Sequence, residues 1–308
     1  KSCYASDDGS ALHFKKGKLF QSVSFYENAN SYEISIVNNK IKEKIINWVS
    51  KIANELNVIG LMNTQLALKN NELYVLEVNP RASRTVPFVA KSIGIPIGKI
   101  AAKIMAGKTL SEFPLSFENK EPIIFSVKES VFPFNKFDGV DLILGPEMKS
   151  TGEVMGIDKS FLSAFIKSQF ASGMHLPNKG NVFLSVDDDN KDKLLPIAKK
   201  LEFLNFKLIA TTGTNNFLTR NKIKVSIINK VKEGSPHIVN SLLSQEIDLV
   251  INTTKTQHSI RDSYSIRRTS LMNNVPYYTT MAGAKVAVDA IEVLKKNNLT
   301  VTSLQAIN

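Results

Sequence analysis

Polar side chains of three chemical kinds fall together within residues 61–91, in a stretch that alternates as strands do. Residues 73–78 run Leu-Tyr-Val-Leu-Glu-Val, and side chains two positions apart on a strand share a face. Glu77, Asn79 and Arg81 are therefore expected to point the same way. Hard divalent cations such as Mg²⁺ take oxygen ligands and keep substrate phosphates in their shell, while arginine binds phosphate oxygens with a planar fork. The pattern predicts a site for a metal ion with a polyphosphate.

A turn at Asn70-Asn71 is expected to fold the preceding strand back and to bring Gln65 nearly opposite Glu77, as a fourth member of the site. The register of a hairpin depends on its loop length, which the sequence leaves open. An alternative interpretation is that Glu77 and Arg81 form an exposed ion pair on an edge strand, which would contribute little to stability. The residues by themselves leave both interpretations open.

The composition is that of an ordinary globular protein with a positive charge balance. The 308 residues are 43% hydrophobic and 22% charged, and their number predicts two domains. No apolar run reaches the roughly 20 residues of a membrane span, so no membrane association is expected. Cys3 is the single cysteine, so no disulfide can form within the protein, which fits a cytoplasmic location. The net charge of +11 is spread over scattered lysines, a pattern that favours nucleotides and phosphates over nucleic acid as partners.

The first half of the sequence mixes helical and strand patterns. Residues 1–26 lack a clear period and are left unassigned, and residues 27–174 are expected to form the first domain with a connector. The elements predicted there are a helix at 41–56, a hairpin at 60–79, a helix at 96–106, short strands with turns at 123–156 and a helix at 161–170. Small and helix-breaking residues at 171–180 predict a linker, so the domain boundary is placed near residue 175.

The second half, residues 175–308, alternates strands with helices. This order predicts a doubly wound α/β domain with a mostly parallel sheet. The predicted strands are residues 182–186, 207–211, 224–228, 248–252 and 276–279. The predicted helices lie near residues 191–204, 236–243, 259–272 and 284–295.

Hydroxyl and amide side chains follow two of these predicted strands. Residues 211–214 (Thr-Thr-Gly-Thr) close one strand and residues 252–254 (Asn-Thr-Thr) close another, and Lys191 and Lys230 would add positive charge. Ligands of doubly wound sheets bind beyond the carboxyl ends of strands, and glycine, hydroxyls and helix-start amides suit a phosphate. The alternative is that the threonines are turn and N-cap residues.

The sequence of the hairpin, TQLA followed by EVNPRASR, resembles that of the metal- and nucleotide-binding hairpin of an ATP-grasp domain. It is most similar to the second such domain in the large subunit of carbamoyl-phosphate synthases. The similarity continues through SVKESVFPFNKFDGVDLILGPEMKSTGEVMG at residues 126–156 and covers roughly residues 27–295. By this resemblance the first domain is the C-terminal part of an ATP-grasp α+β domain.

Roles for the hairpin residues follow from this resemblance. It implies that Gln65, Glu77 and Asn79 hold Mg²⁺ or Mn²⁺ between the phosphates of ATP. It also implies that Arg81 contacts the nucleotide phosphates and that Arg84 acts in a similar way.

The second half resembles the methylglyoxal-synthase-like regulatory domain that ends the same large subunit. In that family, nucleotide effectors such as IMP or UMP place their phosphate among groups that align here with Ser185, Lys191, Thr211, Thr214, Lys230, Asn252, Thr253 and Thr254. Bacterial members also bind ornithine at the border between the domains, through residues aligned with Glu129 and Thr279, and with Glu27 where the family has aspartate. Methylglyoxal synthase activity itself is not expected, because the loop after Lys230 offers only Glu233 as a carboxylate base.

The family implies an ATP-dependent ligase that phosphorylates carbamate to carbamoyl phosphate, for pyrimidine and arginine biosynthesis. Its ammonia comes from glutamine on a separate glutaminase small subunit. The glycine-rich flap and the adenine pocket, which the family supplies upstream, are not visible in these residues, so the sequence is interpreted as a C-terminal fragment that does not turn over ATP alone. The alternative is a stand-alone effector-binding protein, in which the hairpin only supports the fold.

Overall fold

The computed structural model describes residues 3–6, 10–15, 18–24, 31–34, 39–114, 124–132, 134, 150, 152–254, 263–297 and 299–306. Up to residue 40 it describes the backbone alone. None of the helices in these ranges combines the length and apolar content needed to span a bilayer.

Short strands occupy the N-terminal region, which the sequence pattern left unassigned. Strand β1 (Cys3–Ser6) pairs antiparallel with β4 (Ser31–Ile34). Between them, β2 (Ser10–Lys15) pairs antiparallel with β3 (Lys18–Ser24).

A helix and a tight hairpin follow, as predicted. Helix α1 spans Asn39–Glu55, and the hairpin consists of β5 (Asn63–Lys69) and β6 (Glu72–Asn79). Asn70 and Asn71 connect the strands with φ angles of 52° and 63°. Asparagine tolerates this left-handed region, and two such residues form the turn whose twist matches that of paired strands.

Two short helices come after the hairpin, and the first of them was not predicted. Helix α2 spans Thr85–Ile93 and ends at Gly94, whose φ is 71°. Its Pro87 lies in the first turn, where the missing N–H has no partner to lose, so this proline does not break the helix. Helix α3 (Ile97–Met105) confirms the predicted helix, and Gly107 follows it with a φ of 99°.

A fourth antiparallel pair packs closely on a helix. Strands β7 (Phe125–Val131) and β8 (Gly152–Asp158) pair along their whole length, and α4 (Phe161–Ala171) lies against them. A Cβ atom at Gly156 would stand 1.9 Å from the carbonyl oxygen of Ala164. The absence of a side chain at Gly156 is therefore what lets the strand and the helix approach.

The remaining residues build a five-stranded parallel sheet, which confirms the predicted doubly wound fold. The strands are β9 (Asn181–Ser185), β10 (Lys207–Ala210), β11 (Val225–Ile227), β12 (Leu249–Asn252) and β13 (Tyr277–Tyr278). They lie in the order β11-β10-β9-β12-β13, so the direction of strand addition reverses between β9 and β12. Both of these central strands are apolar and buried, as expected where helices cover both faces of a sheet.

In the described residues four helices lie between consecutive strands of this sheet, and a fifth follows the last strand. They are α5 (Lys191–Phe203), α6 (Thr212–Arg220), α7 (Ile238–Leu243), α8 (Tyr264–Met272) and α9 (Met281–Lys296). Helix α6 was not predicted, because Thr-Gly-Thr-Asn-Asn at its start is a poor helix sequence.

Ion pairs join α5 to α9 on the outside of the sheet. The Lys200 ammonium lies 2.6 Å from an Asp289 oxygen and 2.5 Å from a Glu292 oxygen. Hydrogen bonds from Lys200 and Lys296 lower the pKa of the Glu292 carboxyl to about 2. The charges on the two helices are therefore matched where they meet.

The larger apolar core crosses the predicted boundary near residue 175. It includes Val127 of β7, Phe165 of α4 and Leu184 of β9, together with the inner faces of α5 and α9. A smaller core on the other face of the sheet contains Phe183 and residues of α7 and α8. The parallel sheet therefore uses α4 as one of its covering helices.

Candidate functional site

The hairpin register brings the predicted metal-binding side chains together. Gln65 lies directly opposite Glu77, which confirms that prediction, and Asn63 lies opposite Asn79. The register then shifts between Gln65 and Leu66, so a bulge interrupts the pairing next to the site. Directly paired residues and residues two apart share a face, so one side of the hairpin carries all four polar side chains.

These side chains offer oxygen ligands of the kind that Mg²⁺ or Mn²⁺ takes. Asn79 Nδ2 donates a hydrogen bond to Glu77 Oε1, and the side chains of Gln65 and Glu77 are exposed. The described residues contain no group of three or more His, Cys, Asp or Glu side chains that would hold a metal by themselves. One carboxylate with two amide oxygens fits a cation that takes its remaining ligands from a bound polyphosphate.

The two arginines lie beyond the strand. Strand β6 ends at Asn79, and the Arg81 amide donates to the Asn79 carbonyl at 2.8 Å, so strand alternation does not set the direction of the Arg81 side chain. The exposed guanidinium of Arg81 donates from Nη1 to the carbonyl of Ala82 at 3.1 Å. Arg84 Nη1 donates to the hydroxyl of Ser150 at 3.1 Å, across 66 residues of sequence. Arg84 thus links Ser150 to the exit of the hairpin.

The predicted phosphate-binding side chains meet where the strand order reverses. Ser185 at the end of β9 lies opposite Asn252 at the end of β12, and its hydroxyl is 3.1 Å from that of Thr211 after β10. The buried Thr214 hydroxyl accepts a hydrogen bond from the Val186 amide at 3.2 Å. Three neighbouring strand ends therefore contribute hydroxyl and amide groups to one place, the usual ligand position in such sheets.

Thr253 is held by Asp187, a residue that sequence reasoning missed. The Thr253 hydroxyl donates to Asp187 Oδ2 at 2.7 Å and accepts from the Asp187 amide at 3.2 Å. Asn190 Nδ2 also donates to Asp187 Oδ2, at 2.8 Å. Burial raises the pKa of the Asp187 carboxyl, but the hydrogen bonds from Thr253 and Asn190 outweigh it and lower the pKa overall. Thr253 therefore joins β12 to the loop after β9. Its hydroxyl proton is already donated to Asp187.

The remaining predicted effector residues lie at different distances from this cluster. The Lys191 ammonium would be 3.9 Å from a Cβ atom at Gly213, so it lies beside the start of α6. Asn252 is buried and donates from Nδ2 to the Tyr277 hydroxyl at 2.9 Å. Thr254 is half-buried just after Thr253, and Lys230 is exposed on the turn that follows the outer strand β11.

Glu129 lies in a second polar cluster, between β7 and β13. Burial raises the pKa of the Glu129 carboxyl to about 8, and the nearby Gln169 amide offsets only a part of this effect. The buried Tyr278 hydroxyl donates to Gln169 Oε1 at 3.3 Å, and burial together with the charge of Glu129 raises the Tyr278 pKa. Thr279 directly follows Tyr278, so Glu129 and Thr279 belong to one region. Glu27 lies outside the described residues.

Two family models match separate parts of the protein. Residues 30–113, which contain the hairpin, match the carbamoyl-phosphate synthase L chain, ATP binding domain. Residues 193–279, which contain most of the parallel sheet, match the MGS-like domain.

Curated relatives match almost the whole of this protein but are much longer. The carbamoyl phosphate synthase large chain of Mesorhizobium japonicum is 48% identical over 283 residues, 91% of this chain and 24% of that protein. The large chain of Myxococcus xanthus is 51% identical over 263 residues, 85% of this chain and 24% of that protein. In Aquifex aeolicus, the C-terminal section of the large chain is 47% identical, over 91% of this chain and 56% of that protein. The chain thus spans about a quarter of the length of the first two relatives.

A solved methylglyoxal synthase structure from Elizabethkingia anophelis NUHP1 matches 37% of this chain and 79% of its own, at 20% identity and a TM-score of 0.29. That similarity is too low to support an inference. The two family models and the relatives agree with each other and with the hairpin and sheet described above. The chain belongs to the carbamoyl-phosphate synthase large-chain family, of which it carries part of the ATP-binding domain and the MGS-like domain.

Proposed function

We propose that this chain is the C-terminal part of an ATP-dependent carbamoyl-phosphate synthase, which phosphorylates carbamate to carbamoyl phosphate. The observation that carries the proposal is the pairing of Gln65 with Glu77, with Asn79 bonded to Glu77 on the same face. The identity of 48–51% to curated synthases supports the same reaction. We further propose a cytoplasmic location and a glutaminase small subunit as the source of ammonia.

The hairpin residues suit phosphoryl transfer, in which the protein mainly positions groups and neutralises charge. Bound Mg²⁺ or Mn²⁺ would supply the positive charge that the phosphate oxygens of ATP need. Gln65, Glu77 and Asn79 would hold the ion through two amide oxygens and one carboxylate. Arg81 uses one N–H of Nη1 for the Ala82 carbonyl, and a guanidinium has five N–H donors, so several remain for phosphate oxygens. Arg84 would also contact the phosphates, while its hydrogen bond to Ser150 is kept.

Replacement of Glu77 by glutamine tests this assignment in the complete synthase. Glu77→Gln removes the single negative charge among the three proposed ligands, so we expect carbamoyl phosphate formation to fall by about tenfold or more, because metal-ion stabilisation is worth several kcal/mol. A higher Mn²⁺ concentration should restore a part of the rate. Glu72→Gln on the same strand is the matched control, since the Glu72 carboxylate contacts the Tyr74 hydroxyl near the turn. Equal rates for the two variants would remove Glu77 from the proposed metal site.

We infer that a nucleotide effector of the IMP or UMP type binds at the reversal of strand order. Ser185 and Thr211 share one hydrogen bond, which leaves one of their two protons free. Thr214 uses its oxygen as an acceptor, so its proton is also free to donate to a phosphate. The first amides of α6 have no carbonyl partner within the helix and point toward the same place. Lys191 adds a positive charge beside them.

Thermal unfolding of this protein tests the effector site directly. UMP or IMP at 100 times its dissociation constant should raise the free energy of unfolding by about 2.7 kcal/mol and hence the melting temperature. Lys230→Ala should reduce the shift, because it removes a positive charge that we propose attracts the effector phosphate. Lys207→Ala is the charge-matched control. Lys207 is an exposed residue at the amino end of β10, whereas the proposed site lies at the carboxyl ends of the strands. The absence of a shift with either nucleotide would contradict the effector proposal.

We also propose ornithine as a ligand of the region between β7 and β13. Its ammonium group would pair with Glu129, and Thr279 would contact it from the end of β13. The half-buried position of Glu129 beside Gln169 and Tyr278 supports a site that recognises a charged amine. Because this carboxyl retains its proton near neutral pH, binding of the ammonium form should release a proton, which calorimetry in buffers of different ionisation enthalpy would detect.

A second candidate function is effector binding without catalysis. The observation in its favour is that the strand-end cluster lies within the parallel sheet and needs nothing from the hairpin. Normal carbamoyl phosphate formation by a synthase carrying Glu77→Gln, together with nucleotide binding by this protein, would favour it.

A further inference from the structure

An ion pair lies beside the proposed phosphate site. Lys191 begins α5, and its ammonium lies 2.6 Å from Oδ1 of Asp188. Asp188 belongs to a single 3₁₀ turn, Asp188–Asn190, between β9 and α5. The Lys191 side chain is 21% exposed, whereas that of Asp188 is 89% exposed. The carboxylate therefore approaches the lysine from the solvent side, without support from surrounding packing.

The position of Lys191 places this ion pair next to the anion-binding groups. The ammonium lies beside Gly213 at the start of α6, within van der Waals distance of where a Cβ atom would stand. An effector phosphate held by the first amides of α6 would need Lys191 as its nearest positive charge. A dianion there would also face the negative charge of Asp188, since both would share one ammonium. Either the carboxylate swings out into water or the two anions repel each other.

The neighbouring aspartate does not have this freedom. Asp187 accepts hydrogen bonds from Thr253 and Asn190, so its carboxylate is fixed to the end of β12. Asp188 is exposed, and a change of one side-chain rotamer is enough to release Lys191. The two consecutive carboxylates thus differ in role, one holding the loop and the other competing for its lysine.

We propose that Asp188 is an affinity-setting residue of the effector pocket, an internal anion that competes with the effector phosphate for Lys191. The proposal rests on the effector site proposed above. Competition of this kind weakens effector binding by the free energy of the ion pair. Because exposed ion pairs contribute little free energy, we expect Asp188 to weaken the affinity by about two- to five-fold. It also makes effector binding less sensitive to salt than the lysine alone would, because salt weakens both contacts.

A double-mutant cycle on this protein tests the competition. We would measure the dissociation constants of UMP and of sulfate by calorimetry at low ionic strength for the parent, Asp188→Asn, Lys191→Ala and the double variant. Sulfate is included because it carries the same two charges throughout the neutral pH range. Asp188→Asn should tighten both ligands by about two- to five-fold. In the Lys191→Ala background the same change should have no effect.

The control separates competition from a general loss of negative charge. Asp192 is an exposed residue in the first turn of α5, so Asp192→Asn removes one charge close to Lys191. Equal tightening by Asp192→Asn, or tightening by Asp188→Asn that persists without Lys191, would overturn the proposal. Binding by the parent that Asp188→Asn leaves unchanged would overturn it and keep the effector site. The absence of binding by the parent and by all variants would remove both.

Discussion

Glu129 is a residue whose ionisation the fold changes strongly. It lies on β7, half-buried, against Gln169 of α4 and Tyr278 of β13. Burial raises its pKa to about 8, whereas the pKa of a glutamate in an unfolded chain is about 4.3. The folded protein therefore holds one more proton than the unfolded protein between these two values. Stability must decrease as pH rises through that window, because the group has to lose the proton that the fold favours.

Glu129→Gln should consequently stabilise the protein at neutral pH. The amide has the same shape and cannot ionise, so we expect a gain on the order of 1–3 kcal/mol at pH 7.5 that disappears near pH 4. Urea unfolding at several pH values measures it. Glu112 gives a control of opposite sign, because hydrogen bonds from Lys108 and from the Thr109 amide lower its pKa. Glu112→Gln should lose stability above pH 4.5. A Glu129→Gln variant less stable than the parent at pH 7.5 would contradict this account.

At the scale of elements, the contact between β8 and α4 depends on the absence of one side chain. A Cβ at Gly156 would lie 1.9 Å from the Ala164 carbonyl oxygen and 2.6 Å from the Ser168 amide nitrogen. Both are backbone atoms of α4, so no side-chain rotation can make room. The helix would have to move off the strand pair, and with it the part of the core that it shares with the parallel sheet.

Gly156→Ala should therefore destabilise the protein strongly. Overpacking against backbone costs about 3 kcal/mol, enough to lower the melting temperature by several degrees. Gly152→Ala on the same strand is the matched control, because nothing lies within 4 Å of a Cβ there. Equal melting temperatures for the two variants would show that β8 and α4 do not approach as described.

Most elements were predictable from apolar spacing and turn residues, but helices α2 and α6 were not. Helix α1, the hairpin and the alternating strands of the sheet followed from apolar spacing and turn residues. Helix α2 has a proline in its first turn, and α6 begins with threonine, glycine and asparagine, so local preference argued against both. Their helical form depends on packing against the rest of the fold, which local sequence does not contain.

The same limit applies to the sites. The turn Asn70-Asn71 specified the hairpin loop, but the regular register from this turn would place Gln65 opposite Leu76. The bulge between Gln65 and Leu66, which the sequence did not predict, is what places Gln65 opposite Glu77. The direction of the Arg81 side chain could not be predicted from strand alternation, because β6 ends before Arg81. The roles of Asp187, Gln169 and Tyr278 were missed, since each depends on contacts between elements far apart in sequence.

For the whole molecule, we expect the 308-residue protein to bind Mn²⁺-ATP weakly and without preference for the base. The family model for the ATP-binding domain matches residues 30–113, and Gln65 and Glu77 are exposed on the hairpin. By the proposal above these residues would contact the metal and the phosphates, and no adenine contact is proposed for the described residues. Calorimetry with Mn²⁺ should therefore give similar weak affinities for ATP, GTP and tripolyphosphate, all reduced further by Glu77→Gln. A preference for ATP of tenfold or more would contradict this expectation.

The apolar core that runs from β7 through α4 into the parallel sheet makes the two family domains hard to separate. A protease that cuts the partly exposed stretch at residues 172–180 would nick the backbone, yet the two pieces should stay associated until denaturant is added. A shortened protein that begins at residue 175 would lack α4 and expose one side of its sheet to water, with aggregation as the expected result. A fragment that folds on its own and contains the parallel sheet would have to begin before β7, so that it includes the strand pair and α4.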